Sequence, residues 1–224
     1  MPESTTTIGN PAAPASRAGR GPIPVIGLIG GIGGGKSAAA SILAGRGAEV
    51  VDADAVGHEV LRRPEVARRV AERFGPGAIA ADGRVDRRAL GRVVFADPAA
   101  RRDLEAIVHP PMFEEFERRI AAARSRGDAP LVVLDAAILL ESGWDRACDA
   151  VAFVDAPREA RLDRVRRDRG WSDAELTARE AAQWPLERKK ARADHVLTND
   201  GDPARLEAEV DRLLMKLAPA EPAP

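Results

Sequence analysis

The run Gly30-Gly31-Ile32-Gly33-Gly34-Gly35-Lys36-Ser37 fills the spacing GxxxxGK[ST]. Glycines lacking a Cβ let successive backbone N–H groups turn inward around a polyphosphate, and a helix N-terminus behind them adds partial positive charge. Lys36 can then reach the β- and γ-phosphates, and the Ser37 hydroxyl can hold Mg²⁺. A glycine-rich turn that binds nothing is the competing reading. It would not require Lys-Ser at that spacing, nor the apolar run before it and the alanine-rich run after it.

Acidic residues supply the rest of a phosphate chemistry. Val51-Asp52-Ala53-Asp54 closes a second apolar run, and one of its carboxylates can accept or orient the proton of an attacking hydroxyl. The alternative is that Asp54 caps the helix beginning at Ala55, and spacing alone balances the two. Asp54-Ala55-Val56-Gly57 also satisfies the DxxG of a GTPase switch, but the chain has no NKxD to read guanine. Leu131-Val132-Val133-Leu134-Asp135 has the form of a Walker B segment, so Asp135 can hold Mg²⁺ through water opposite Ser37; a cap or strand-end charge is its alternative. Glu141 is a further acidic candidate for the same pocket.

Cations cluster later, at Arg158, Arg161, Arg164, Arg166, Arg167 and Arg169. An arginine closing over a bound nucleotide stabilises charge on the transferred phosphoryl group and excludes water. Arg161 and Arg164 lie one helical turn apart, so only a few of the six can face a nucleotide together. His109, followed by Pro110 and Pro111, falls where a helix is expected to restart, and a lone histidine is more often structural than catalytic.

These residues need elements to position them. Five short apolar runs read as strands of a mostly parallel sheet: Val25 to Ile29, Ala48 to Val51, Leu131 to Leu134, Ala150 to Val154 and His195 to Thr198. Helical stretches between them favour a doubly wound α/β architecture with ligands at the carboxyl ends of the strands. The interval from Ala55 to Ala129 is long enough for a substrate-covering helical insertion, and Pro157 to Lys190 forms a second helical, Arg-dense stretch.

A chain of 224 residues suits one α/β domain with insertions. Its net charge of −1 argues against a nucleic-acid protein selected for overall basicity. Cys148 alone excludes an intrachain disulfide, no Cys/His cluster has metal-site spacing, and a cytoplasmic setting is the default expectation. No apolar stretch approaches the roughly twenty residues of a membrane helix. Residues 1–22 and 218–224 are expected to be disordered tails.

Taken in order, these segments resemble the dephospho-CoA kinase family. The resemblance rests on Gly27 to Ser37, Val51-Asp52-Ala53-Asp54, Val85-Asp86-Arg87-Arg88-Ala89-Leu90, Val94-Phe95-Ala96-Asp97-Pro98, Val108-His109-Pro110, Leu139-Leu140-Glu141, and Ala191 to Gly201. It runs from about Pro24 to Leu214. It implies an α/β, P-loop NTPase-type three-layer fold with a mostly parallel five-stranded sheet, a helical substrate-binding insertion and a helical lid. The kinase domain would span 23–217, with its core at 23–54, 130–156 and 191–217, the insertion at about 55–129 and the lid at about 157–190.

The same resemblance implies roles. Gly31, Gly33, Gly34, Gly35, Lys36, Ser37 and Ala38 would bind ATP phosphates, with Asn199 beside the adenine. Asp54 would be the base or orienter for the ribose 3′-hydroxyl of dephospho-CoA. His109, Arg88 and Glu141 would surround that substrate, Arg164 would be the lid arginine, and Ser37 with Asp135 would hold Mg²⁺. Partners would be ATP and dephospho-CoA, without nucleic acid or membrane, in a monomer or weak homo-oligomer. The chain departs from the family where Ile29 and Ala38 stand for the usual threonines, and where Ala137-Ile138-Leu139-Leu140 lacks the usual proline. The alternatives are another nucleoside or nucleotide kinase on this scaffold, and a nucleotide-binding switch.

Overall fold

The computed structural model describes residues 23–217; the two expected disordered tails lie outside the described residues. Five strands, β1 (Val25–Gly30), β2 (Glu49–Asp52), β3 (Val132–Asp135), β4 (Ala150–Asp155) and β5 (His195–Thr198), form one sheet among the described residues. Its order is β2-β3-β1-β4-β5, and every pairing is parallel. All five lie within a residue or so of the apolar runs that predict them; the central β1, β3 and β4 are buried along most of their length, and strands buried on both faces read as near-continuous apolar stretches.

Alternation along the strands builds two cores. Ile26, Leu28, Val133, Ala152, Val154 and Leu197 pack on one face against α1 (Lys36–Gly45) and α9 (Pro203–Leu217), through Ala39, Leu43, Leu206, Val210 and Leu213. Val25, Ile29, Val51, Val132, Leu134, Val151 and Phe153 face the other way, toward the helices between β2 and β3 and toward Trp144 and Cys148. Ile29 is wholly buried there, which explains why an apolar side chain serves at that position. Gly27 lies on the same face, where an added Cβ would collide with the Leu139 side chain and lie 3.0 Å from the Cys148 sulfur.

Between β2 and β3 come α2 (Ala53–Val60), α3 (Pro64–Phe74), α4 (Arg87–Ala96) and α5 (Pro98–Arg126). Aspartates cap three of them: Asp52, Asp86 and Asp97 each accept a backbone N–H from the first turn of the helix that follows. Asp52, and not Asp54, is therefore the cap of α2. The restart expected at His109 does not occur either, because α5 continues through Pro110 and Pro111. Proline 111 cannot donate to the Ile107 carbonyl four residues back, and Arg69 donates to that oxygen instead, at 3.4 Å. Ile107, Met112, Phe116, Ile120 and Ala123 are buried on either side of the prolines, so core packing holds the helix in one piece.

After β4 the chain forms α6 (Arg158–Arg169), α7 (Asp173–Glu180) and α8 (Leu186–Lys190) before returning to β5. Ser172 and Glu175 make a reciprocal capping box at the start of α7. This second excursion leaves and re-enters beside the glycine loop.

Candidate active site

The loop joining β1 to α1 carries two left-handed glycines, Gly33 (φ 72°) and Gly35 (φ 88°), and a Gly34 N–H that donates to the Gly31 carbonyl at 2.9 Å. Conformation is one reason for glycine here and crowding is the other. An added Cβ at Gly33 would lie 2.6 Å from the Arg161 carbonyl oxygen, and one at Gly34 would lie 2.8 Å from that of Gly31. Backbone of α6 thus packs directly on the loop. Helix α1 begins at Lys36, so Ser37 and Ala38 sit in its first turn, where free N–H groups favour anions.

Lys36 and Asp135 form an ion pair between the loop and the end of β3. Burial raises the Asp135 pKa above its ordinary value, the Lys36 ammonium opposes that shift, and the charges of Asp52 and Asp54 add to it. Asp52 pairs with Asp135 in register across β2 and β3. The Asp135 carboxylate thus sits beside Lys36, with Asp52 opposite it in the sheet and Asp54 near enough to act on it electrostatically. Asp135 and the Ser37 hydroxyl are oxygen donors of the kind a hard cation takes alongside water and phosphate. Among the described residues no group of three or more His, Cys, Asp or Glu could hold a metal ion by itself.

Asp54 lies in the first turn of α2, exposed, with its backbone N–H donated to Asp52 Oδ1 at 2.8 Å. Because Asp52 does the capping, the Asp54 carboxylate is available to the cleft.

The arginines of α6 divide by helical phase. Arg161 is 5 % exposed, donates to the Ala156 carbonyl at 3.2 Å, and pairs with Glu180 at the end of α7. Arg158 also reaches Glu180, at 2.9 Å, so one carboxylate clasps the outgoing and returning ends of the excursion. Arg164 faces the loop instead, donating to the Gly33 carbonyl at 3.1 Å and to Asn199. Burial lowers its pKa from the ordinary guanidinium value. Asn199, 5 % exposed at the end of β5, donates to the Gly34 carbonyl at 2.8 Å.

A cleft of about 1630 Å³ runs from the loop to the α4–α5 helices. Residues 30–38, Asp54, His109, Glu141, Arg164 and Asn199 all line it. His109 packs edge-on against Trp144 at 4.8 Å, and burial lowers its pKa, with Glu105 opposing. Glu141 accepts the Trp184 backbone N–H at 3.0 Å and pairs with Lys189 at 2.8 Å. The turn leading to it forms without proline, through Leu139 N–H to Ala136 carbonyl and Ser142 N–H to Ile138 carbonyl bonds. Arg88 is exposed at the start of α4 and does not line the cleft.

The sequence assigns no site role to Arg101, Glu105, Trp171, Arg179 or Gln183, nor to Phe95 beyond its place in the family motif, and all of these also line it. Helical spacing is the signal that could have found Arg101 and Glu105, since both lie on the face of α5 that carries His109. Trp171 is flanked by the guanidinium groups of Arg169 and Arg179 at 4.8 and 4.0 Å from its ring, an arrangement that only folding back of α7 creates.

The family model and the curated relatives name one family. A family model described as dephospho-CoA kinase matches residues 24–204. The chain is 45 % identical over 188 residues to a dephospho-CoA kinase of Symbiobacterium thermophilum, covering 84 % of this chain and 78 % of that protein. It is likewise 45 % identical over 195 residues to one of Anaeromyxobacter dehalogenans, covering 86 % and 92 %. Among solved structures, that of TT1252 from Thermus thermophilus superposes with a TM-score of 0.74 at 40 % identity, covering 89 % of this chain and all of that one.

Proposed function

The chain belongs to the dephospho-CoA kinase family and is a kinase, and we propose that it transfers the γ-phosphoryl group of ATP to the ribose 3′-hydroxyl of dephospho-CoA, giving coenzyme A and ADP. One observation carries the assignment of roles: the glycine loop, Asp54, His109, Glu141 and Arg164 line a single continuous cleft. The loop end takes ATP and the end walled by α2 and α5 takes the acceptor. In this reading residues 55–129 are the acceptor-binding insertion and residues 157–190 the lid.

The loop N–H groups and Lys36 bind the phosphates, and Lys36 exchanges its pairing with Asp135 for phosphate oxygens. Asp54 accepts the hydrogen bond of the 3′-hydroxyl and takes its proton as that oxygen attacks the γ-phosphorus and the bond to the β-phosphate oxygen breaks. Arg164 turns its N–H groups from loop carbonyls to the transferred phosphoryl oxygens. Ser37 and Asp135 would hold Mg²⁺, which when bound neutralises phosphate charge. Glu141 and His109 hold the acceptor nucleoside, and Asn199 fixes the loop beside the adenine.

We place the enzyme in the cytoplasm, as a monomer or weak homo-oligomer without a nucleic-acid partner. Among the described residues no helix is long and apolar enough to cross a membrane. The test is direct: purified protein with MgATP and dephospho-CoA yields ADP and coenzyme A in equal amounts. Folded protein that produces neither refutes the assignment.

A further inference from the structure

Lys189 is fully buried, with 0 % of its side chain exposed. An ammonium has three N–H donors and tolerates burial only when they are satisfied and its charge is paired. Here all three have acceptors: the Ala137 carbonyl at 2.8 Å, Gln183 Oε1 at 3.0 Å and Glu141 Oε1 at 2.8 Å. One side chain on α8 therefore joins the turn after β3 to the returning end of the α6–α7 excursion.

The same Glu141 oxygen also accepts the Trp184 backbone N–H at 3.0 Å. Its second oxygen, Oε2, is buried at the cleft wall with no hydrogen-bond partner among the described residues. Doubling two donors onto Oε1 while Oε2 stays empty fixes the rotation of the carboxylate. A buried polar atom without a partner calls for an explanation, and a ligand that supplies the missing donor is one.

We propose that Lys189 is a positioning residue for acceptor binding: with the Trp184 amide it holds Glu141 by Oε1 so that Oε2 meets a hydroxyl or N–H donor of the acceptor's nucleoside. The proposal rests on the dephospho-CoA reading above and assigns a part within it to a residue that never touches substrate. Gln183 completes the ammonium's shell, so the acceptor's anchor is built partly from the root of the lid.

The experiment compares Lys189→Met with the double variant Lys189→Met/Glu141→Gln, measuring melting temperature and the KM values for both substrates. The single variant leaves a buried carboxylate unpaired, so it melts lower and its KM for dephospho-CoA rises about tenfold, while the KM for ATP stays within about twofold. The double variant removes both charges and regains much of the melting temperature, yet keeps the raised acceptor KM. A double variant that recovers both stability and a normal acceptor KM overturns the proposal, as does an equal rise in both KM values. Wild-type protein that fails to phosphorylate dephospho-CoA removes the underlying reading as well; wild-type protein that turns over while the variants keep a normal acceptor KM removes this proposal alone.

Discussion

Arg164 and Asn199 interlock across the glycine-loop end of the cleft. The guanidinium donates to the Asn199 side-chain oxygen at 3.1 Å and its carbonyl at 3.3 Å, while the Asn199 amide donates to the Gly34 carbonyl. Helix α6 is thereby tied to the glycine loop through the residue that follows β5, and a catalytic role for Arg164 requires that tie to be exchanged for phosphate.

Arg164→Lys is expected to lower kcat by about a hundredfold, because a single ammonium cannot reproduce the forked donors at the transferred phosphoryl group. The KM for ATP should change far less. Steady-state kinetics with ATP varied at saturating acceptor checks this, and an unchanged kcat would remove Arg164 from the transition state.

Asp54→Asn should lower kcat by two orders of magnitude or more while ATP affinity is nearly retained. Since Asp52 caps α2, the melting temperature should stay within a degree or two. A variant with near-normal turnover would return Asp54 to a structural role.

Gly33→Ala should abolish measurable ATP binding by calorimetry. Its methyl meets the Arg161 carbonyl at 2.6 Å and the residue would need φ near +72°. Both strains fall on the loop to which phosphate binding is assigned above. Gly45→Ala, with nothing within 4 Å of the added methyl, is the neutral control.

Glu115 governs part of the acid stability. Hydrogen bonds from Arg118, opposed by burial and aided by Arg119, hold its pKa down to about 2 against an ordinary 4.5. The stabilisation is complete above the unfolded-state value and is lost as pH falls from about 4.5 toward 2. Glu115→Gln should therefore cost about 2 kcal/mol at pH 7 and flatten the loss of stability over that acid range, read by denaturant unfolding at several pH values.

The strands and the glycine loop were legible because their signals are local: short β-branched runs, and glycines whose spacing matters only to their neighbours. Other features depended on what lies opposite. Two prolines in a row predict a break, and only the buried residues on either side of them, together with Arg69, explain why α5 does not have one. Asp52 and Asp54 are equivalent as text, and the entry of the chain into α2 decides which one caps. Arg161 and Arg164 differ only in phase: one faces Glu180 and the other the loop. Lys189 and Glu141 meet through tertiary folding alone, so no spacing rule could have joined them.

The single thiol gives the molecule its own reporter. Cys148 is 3 % exposed against Gly27 at the centre of β1. An alkylating reagent can reach that sulfur only when the sheet's helical cover lifts. The rate at which unmodified wild-type protein is labelled, with and without nucleotide, would therefore time the opening of the kinase core without an engineered probe.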